Sequence, residues 1–154
     1  MERIASFCVD HDKLERGIYI SRIDGDITTY DLRFCKPNTP PFLENAAMHT
    51  IEHLFATMAR NSEVQDNVIY FGPMGCRTGF YLLMRNLPDE RTLELIKDVV
   101  KRISEYEGEI PGTTSVECGN YLEHDLDGAK KAAADYFEVI KDWKCEQLDY
   151  NFGK

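Results

Sequence analysis

The chain has no apolar stretch long enough to cross a bilayer and no run of basic residues. The first absence excludes a membrane-spanning helix. The second, with 18 Lys and Arg against 27 Asp and Glu and a net charge of −9, makes nucleic acid an unsuitable partner. No C-x-x-C pair occurs among Cys8, Cys35, Cys76, Cys118 and Cys145, and an odd number leaves at least one thiol unpaired. That pattern suits a reducing compartment, so the expected location is the cytoplasm. An uninterrupted apolar leader is missing too, because Asp10, His11 and Asp12 follow closely on Ala5–Cys8, and export is not expected. No repeat or linker divides the 154 residues. The expectation is a single domain over 1–154, long enough to bury about 70% of the surface its unfolded chain exposes.

Hydrophobic residues make up 43% of the chain, and their spacing changes along it. Residues 17–23 and 27–34 are β-rich runs separated by Asp24-Gly25-Asp26, which predicts a hairpin. Pro37, Pro40 and Pro41 forbid regular structure, after which Ala47, Ile51, Leu54, Phe55 and Met58 recur at helical spacing across 44–61. Residues 67–71 and 79–84 are predicted strands joined by the irregular turn Gly72–Thr78, which places Cys76 in a turn. A second helix is predicted from Pro88 to near Gly108, a short strand at 114–118 and a third helix at about 127–143, with a loose tail beyond. Hairpins without strict strand–helix alternation indicate an α+β domain with helices packed on an antiparallel sheet.

The chemistry centres on His49-Thr50-Ile51-Glu52-His53. Four residues are little more than one helical turn, so His49 and His53 share a face and can reach one ion, with Glu52 beside them. A pair of histidines on a helix is ordinarily only polar surface. Here they lie opposite much of the apolar stripe, and two cysteines stand near glycines, in Val116-Glu117-Cys118-Gly119 and in the 72–78 turn. The H-x-x-E-H order occurs in inverted zinc peptidases, where the glutamate activates water, so a small metal-dependent hydrolase is one reading. A peptidase, however, needs a long cleft and a third carboxylate ligand, and this short chain offers no equivalent motif. Three protein ligands and an open position define a catalytic metal site, and the third ligand could be Cys118, Cys76, His11 or His124. A thiolate would favour Fe(II) or Zn(II).

Several motifs occur together and in order: Ser6-Phe7 with His11, Asp31-Leu32-Arg33-Phe34-Cys35, His49–His53, Pro73-Met74-Gly75-Cys76-Arg77-Thr78-Gly79 and Cys118-Gly119. In this combination the chain closely resembles the S-ribosylhomocysteine lyases, from about Ser6 to the third helix. The resemblance implies that His49, His53 and Cys118 hold the metal, that Cys76 and Glu52 are catalytic, and that Ser6, His11, Asp31, Arg33 and Arg60 line the substrate pocket. It further implies a homodimer with active sites at the interface and one divalent ion per subunit, Fe(II) foremost, with Zn(II) or Co(II) also accommodated. One stretch departs from the family pattern. Tyr70, Phe71 and Gly72 stand where the family carries an acidic residue, an apolar one and a serine, in a region that meets the amino-acid end of the substrate.

The implied reaction cleaves a thioether, and a thioether does not leave from unactivated carbon. The carbonyl of the opened sugar must move from C1 to C2 and then to C3, so that proton loss at C4 can expel homocysteine and leave 4,5-dihydroxy-2,3-pentanedione. That product is the precursor of autoinducer-2 in bacterial quorum sensing. Each shift passes through an enediolate that a Lewis acid stabilises, and each needs bases beside it. A thiol near a cation gives up its proton readily, so Cys76 would serve as one base and Glu52 as the other. Cys8, Cys35 and Cys145 are expected to be small buried hydrophobes, and His124 simply to precede the third helix.

Overall fold

The computed structural model describes residues 1–154. Four strands, β1 (Gly17–Asp24), β2 (Ile27–Arg33), β3 (Val68–Pro73) and β4 (Gly79–Arg85), and three helices, α1 (Asn45–Arg60), α2 (Asp89–Ser104) and α3 (Leu126–Ile140), make up the regular structure. The sheet runs β1-β2-β4-β3, with every neighbouring pair antiparallel. The expected α+β class, with helices against an antiparallel sheet, is what the chain forms.

Alternation along the strands divides the sheet into two faces. Tyr30, Leu32, Phe71, Phe80, Leu82 and Met84 enter one buried cluster with Ile51, Leu54 and Phe55 of α1, Ile96 and Val99 of α2 and Ala133 and Tyr136 of α3. Inside it Phe71 stacks between Phe55 and Phe80, with ring centroids 4.0 and 4.9 Å apart. The hairpin closes between β1 and β2 with Gly25 at a φ of 62°, which glycine adopts freely as the first residue of a two-residue turn. The prolines at 37–41 fall between β2 and α1 and confine the helix to its predicted range.

Three expectations need correction. Residues 114–118 form no strand. The Glu117 carboxylate accepts from the Thr114 hydroxyl at 2.7 Å and the Cys118 N–H donates to the Thr114 carbonyl at 3.0 Å, so the segment satisfies itself locally as a turn and offers no ladder edge. The tail is not loose either. Residues Cys145–Leu148 form a 3-10 turn that buries Leu148, and beyond it Tyr150 stacks on Tyr19 at 4.8 Å and donates to Asp31 at 2.7 Å. Lastly, Cys8 is exposed, whereas Cys35 and Cys145 are partly buried against the core. No helix is long and apolar enough to cross a membrane.

Candidate metal centre

The centre is assembled by α1 and the loop that precedes α3. His49 and His53 are half-buried on the face of α1 opposite Ile51 and Leu54, with Glu52, also half-buried, between them. Backbone carbonyls orient both imidazoles. Glu123 O lies 2.8 Å from His49 Nδ1, and Pro111 O lies 2.8 Å from His53 Nδ1. A carbonyl can only accept, so each Nδ1 carries the proton and each Nε2 is left with its lone pair. Carbonyl partners of this kind are the usual means of fixing a metal-binding histidine. Gly112, at a φ of 72°, lets the chain pass close to His53, for a Cβ there would stand 3.1 Å from Nδ1.

Cys118 completes the arrangement. Its Sγ lies 3.4 Å from His49 Nε2 and 3.8 Å from His53 Nε2. Tetrahedral zinc-type coordination, with bonds of about 2.3 Å to sulfur and about 2.05 Å to nitrogen, spaces two such donors about 3.5 Å apart. The two observed separations bracket that spacing, so the residues fit a divalent ion. A ring nitrogen of His124 comes within 4.8 Å of the other donors as well. Of the four candidates for a third ligand, Cys118 and His124 are therefore at the centre, whereas Cys76 and His11 are not in the group. Burial, with His49 and His53 alongside, pushes the His124 imidazole down to about 4.

Cys76 belongs to a second polar chain on the other face of the sheet. Its Sγ is 3.1 Å from the Thr78 hydroxyl, which accepts from Arg33 at 2.8 Å. Arg33 also donates to Asp31 at 2.7 Å, and both residues are almost fully buried. Burial opposes the Arg33 charge, but Asp31 more than offsets it, so the guanidinium pKa is raised. Arg33 Nε and Asp31 Oδ1 have no partner in the chain. Ser6 lies half-buried in a 3-10 turn, and His11 Nδ1 is 2.8 Å from Val9 O. Arg60 is exposed at the end of α1 and donates to Ile69 O at 2.8 Å. In the departing stretch Phe71 is core, and Gly72 leaves the space that the Tyr70 ring occupies.

The comparisons with known proteins agree with this geometry. The family model described as S-Ribosylhomocysteinase (LuxS) matches residues 4–147. A protein of Finegoldia magna named S-ribosylhomocysteine lyase is 48% identical over 155 residues, covering 97% of this chain and 99% of its own length. Proteins of the same name from Desulfotalea psychrophila and Borreliella afzelii are 47% and 46% identical over 157 and 156 residues, each with the same coverage of both chains. With a histidine pair and a cysteine converging as a metal site on this fold, and relatives of this similarity along nearly all its length, the chain belongs to the S-ribosylhomocysteinase family.

Proposed function

We propose that this chain cleaves the thioether of S-ribosylhomocysteine, releasing homocysteine and 4,5-dihydroxy-2,3-pentanedione. The observation that carries the reading is the convergence of His49 Nε2, His53 Nε2 and Cys118 Sγ, with both Nδ1 atoms committed to carbonyls. The family membership supplies the substrate class.

His49, His53 and Cys118 would hold a divalent ion, which when bound would act as a Lewis acid toward sugar oxygens that gain negative charge. The carbon-bound protons are moved by the chain's own groups. Glu52 stands beside the two histidines on α1 and takes protons at the sugar carbons nearest the centre. Cys76 is the second proton carrier, and the Thr78 hydroxyl, whose oxygen accepts from Arg33, can turn its hydrogen toward Sγ. Arg33, held in place by Asp31, is the cation assigned to the sugar oxygens. Ser6, His11, Asp31 and Arg60 complete the pocket. After the carbonyl reaches C3, removal of the C4 proton forms the C4–C5 double bond as the C5–S bond breaks; homocysteine leaves as a thiolate, which is then protonated, and the enol left behind tautomerises to the dione by taking a proton at C5.

Fe(II) is the ion proposed, because a mixed thiolate and imidazole set suits a borderline cation, and Zn(II) or Co(II) can take its place. The working form is a homodimer with active sites at the interface. Its product is the precursor of autoinducer-2. The reducing cytoplasm suits its five free thiols. A hydrolase built on Glu52 and water is not favoured, since the third donor is a cysteine and the relatives are named lyases.

The test is incubation of the Fe(II)-loaded protein with S-ribosylhomocysteine while free thiol is followed with a chromogenic reagent. Thiol is expected to accumulate in step with substrate loss, and a background-level signal would overturn the proposal. Cys76→Ala is expected to keep its metal and release no thiol above background. A water-based hydrolase would survive that change.

A further inference from the structure

The loop that completes the centre begins and ends at the two carbonyls that aim the histidines, Pro111 O on His53 and Glu123 O on His49, and it carries Cys118 between them. Gly112 brings its first end close to His53. Its second end meets Thr50, which lies within the His49–His53 run and is fully buried. A hydroxyl has one hydrogen and two lone pairs to offer. The Ala46 carbonyl, one turn back in α1, takes the Thr50 hydrogen at 3.1 Å. The Asp125 N–H donates to one lone pair at 2.9 Å, and His124 Nδ1, 3.0 Å away, donates to the other. Every bond this group can make is therefore in use, and two of the three go to consecutive residues of the loop.

What those two bonds fix is the direction of His49. Glu123, whose carbonyl meets His49 Nδ1 at 2.8 Å, immediately precedes His124, and the His124 ring lies face to face with His49 at 4.0 Å and 24°. The His49 imidazole is thus held at its edge by one of these neighbours and on its face by the other. Asp125 runs on into α3, its carboxylate accepting from the Gly128 N–H at 2.9 Å, so the anchored point is also the start of a helix. A helical threonine that bonded only its own preceding turn would leave this junction untied. We infer that Thr50 is a positioning residue for the metal centre: its hydroxyl clamps the loop to α1, so that Glu123 O and the His124 ring aim His49 Nε2. The inference rests on His49, His53 and Cys118 being the metal donors. Valine in its place would keep the shape of the side chain and leave the Asp125 N–H and His124 Nδ1 without their acceptor.

The Co(II)-loaded full chain gives a readout independent of turnover, because its visible spectrum reports the ligand geometry and its bleaching by excess EDTA times the loss of metal. Thr50→Val removes the hydroxyl, and Thr50→Ser keeps the hydroxyl while removing the methyl group. The valine variant is expected to lose cobalt about tenfold faster than the parent, with an altered visible band. The serine variant should match the parent spectrum and lose cobalt within about twofold of the parent rate. A valine variant with the parent's spectrum and rate would overturn the inference. Equal weakening in both variants would overturn it too, by assigning the effect to packing of the methyl group. Amide exchange in the metal-free parent supplies a second measurement that needs no variant, and it decides the matter should the valine chain not fold. The Asp125 N–H is expected to be protected before any metal is added, because Thr50 already holds it. Exchange at the rate of an open chain would overturn the clamp. A parent that takes up no cobalt at all would instead sink the reading of His49, His53 and Cys118 as metal donors.

Discussion

Removing either of two polar groups has different consequences because their surroundings differ. Cys118 comes from a loop and meets His49 and His53 only through its sulfur, so Cys118→Ala should leave the fold in place and remove a donor. Metal per purified chain, measured by elemental analysis, is expected to fall at least tenfold with an unchanged circular dichroism spectrum. Unchanged metal content would contradict the assignment. Asp31 is another matter, since it sits 2.7 Å from Arg33 with both side chains almost fully shielded. Asp31→Ala would leave the guanidinium charge buried without its partner, at a cost of about 3–5 kcal/mol. Urea unfolding should show the midpoint falling accordingly, and a shift worth less than about 1 kcal/mol would mean that water reaches Arg33. His49 and His53 were legible as a metal-binding pair because helical periodicity puts them on one face. The carbonyls of Glu123 and Pro111 that aim the rings were not, since any residue carries a carbonyl and only the fold chooses which one arrives.

At the scale of elements, the helices and the hairpin followed from periodicity and turn chemistry, and their observed ends lie within a few residues of the predicted ones. The segments that complete the sites were the ones misread. Thr114 and Val116 favour strand by intrinsic preference, but the Glu117 side chain competes for the backbone locally, and this competition makes the loop that delivers Cys118. The tail lacks a periodic pattern, so nothing in the sequence announced that Tyr150 would stack on Tyr19 and bond Asp31. Gly112 ties the same loop to α1. An alanine there must adopt a φ of 72° and place its Cβ 3.1 Å from the ring that the neighbouring Pro111 carbonyl aims. Gly112→Ala is therefore expected to weaken metal retention against a chelator several-fold while the unfolding midpoint moves little. Parent-like retention would show that the loop absorbs the methyl group without disturbing His53.

At the scale of the whole molecule, the metal centre and the Cys76–Thr78–Arg33–Asp31 chain are two separate hydrogen-bonded groups, one beside α1 and one on the far face of the sheet. The large apolar side chains left in solvent are not scattered evenly in sequence. Ile4 and Phe7, 57% and 65% exposed, bracket Ser6, and Val116 and Leu122, 94% and 81% exposed, bracket Cys118. Apolar surface beside residues assigned to the pocket and to the metal is what an interfacial active site would bury, and such surface gains stability only when a partner covers it. Sedimentation equilibrium is accordingly expected to give twice the mass of one chain. Phe7→Asp sets a charge in the proposed interface, far from the donor atoms in sequence and outside the buried core. It should shift the protein toward monomer and lower thiol release at least tenfold, with metal content unchanged, because His49, His53 and Cys118 all belong to one chain. A monomeric parent with full activity would separate catalysis from association, and a Phe7→Asp variant that stays dimeric would move the interface away from the N-terminal turn.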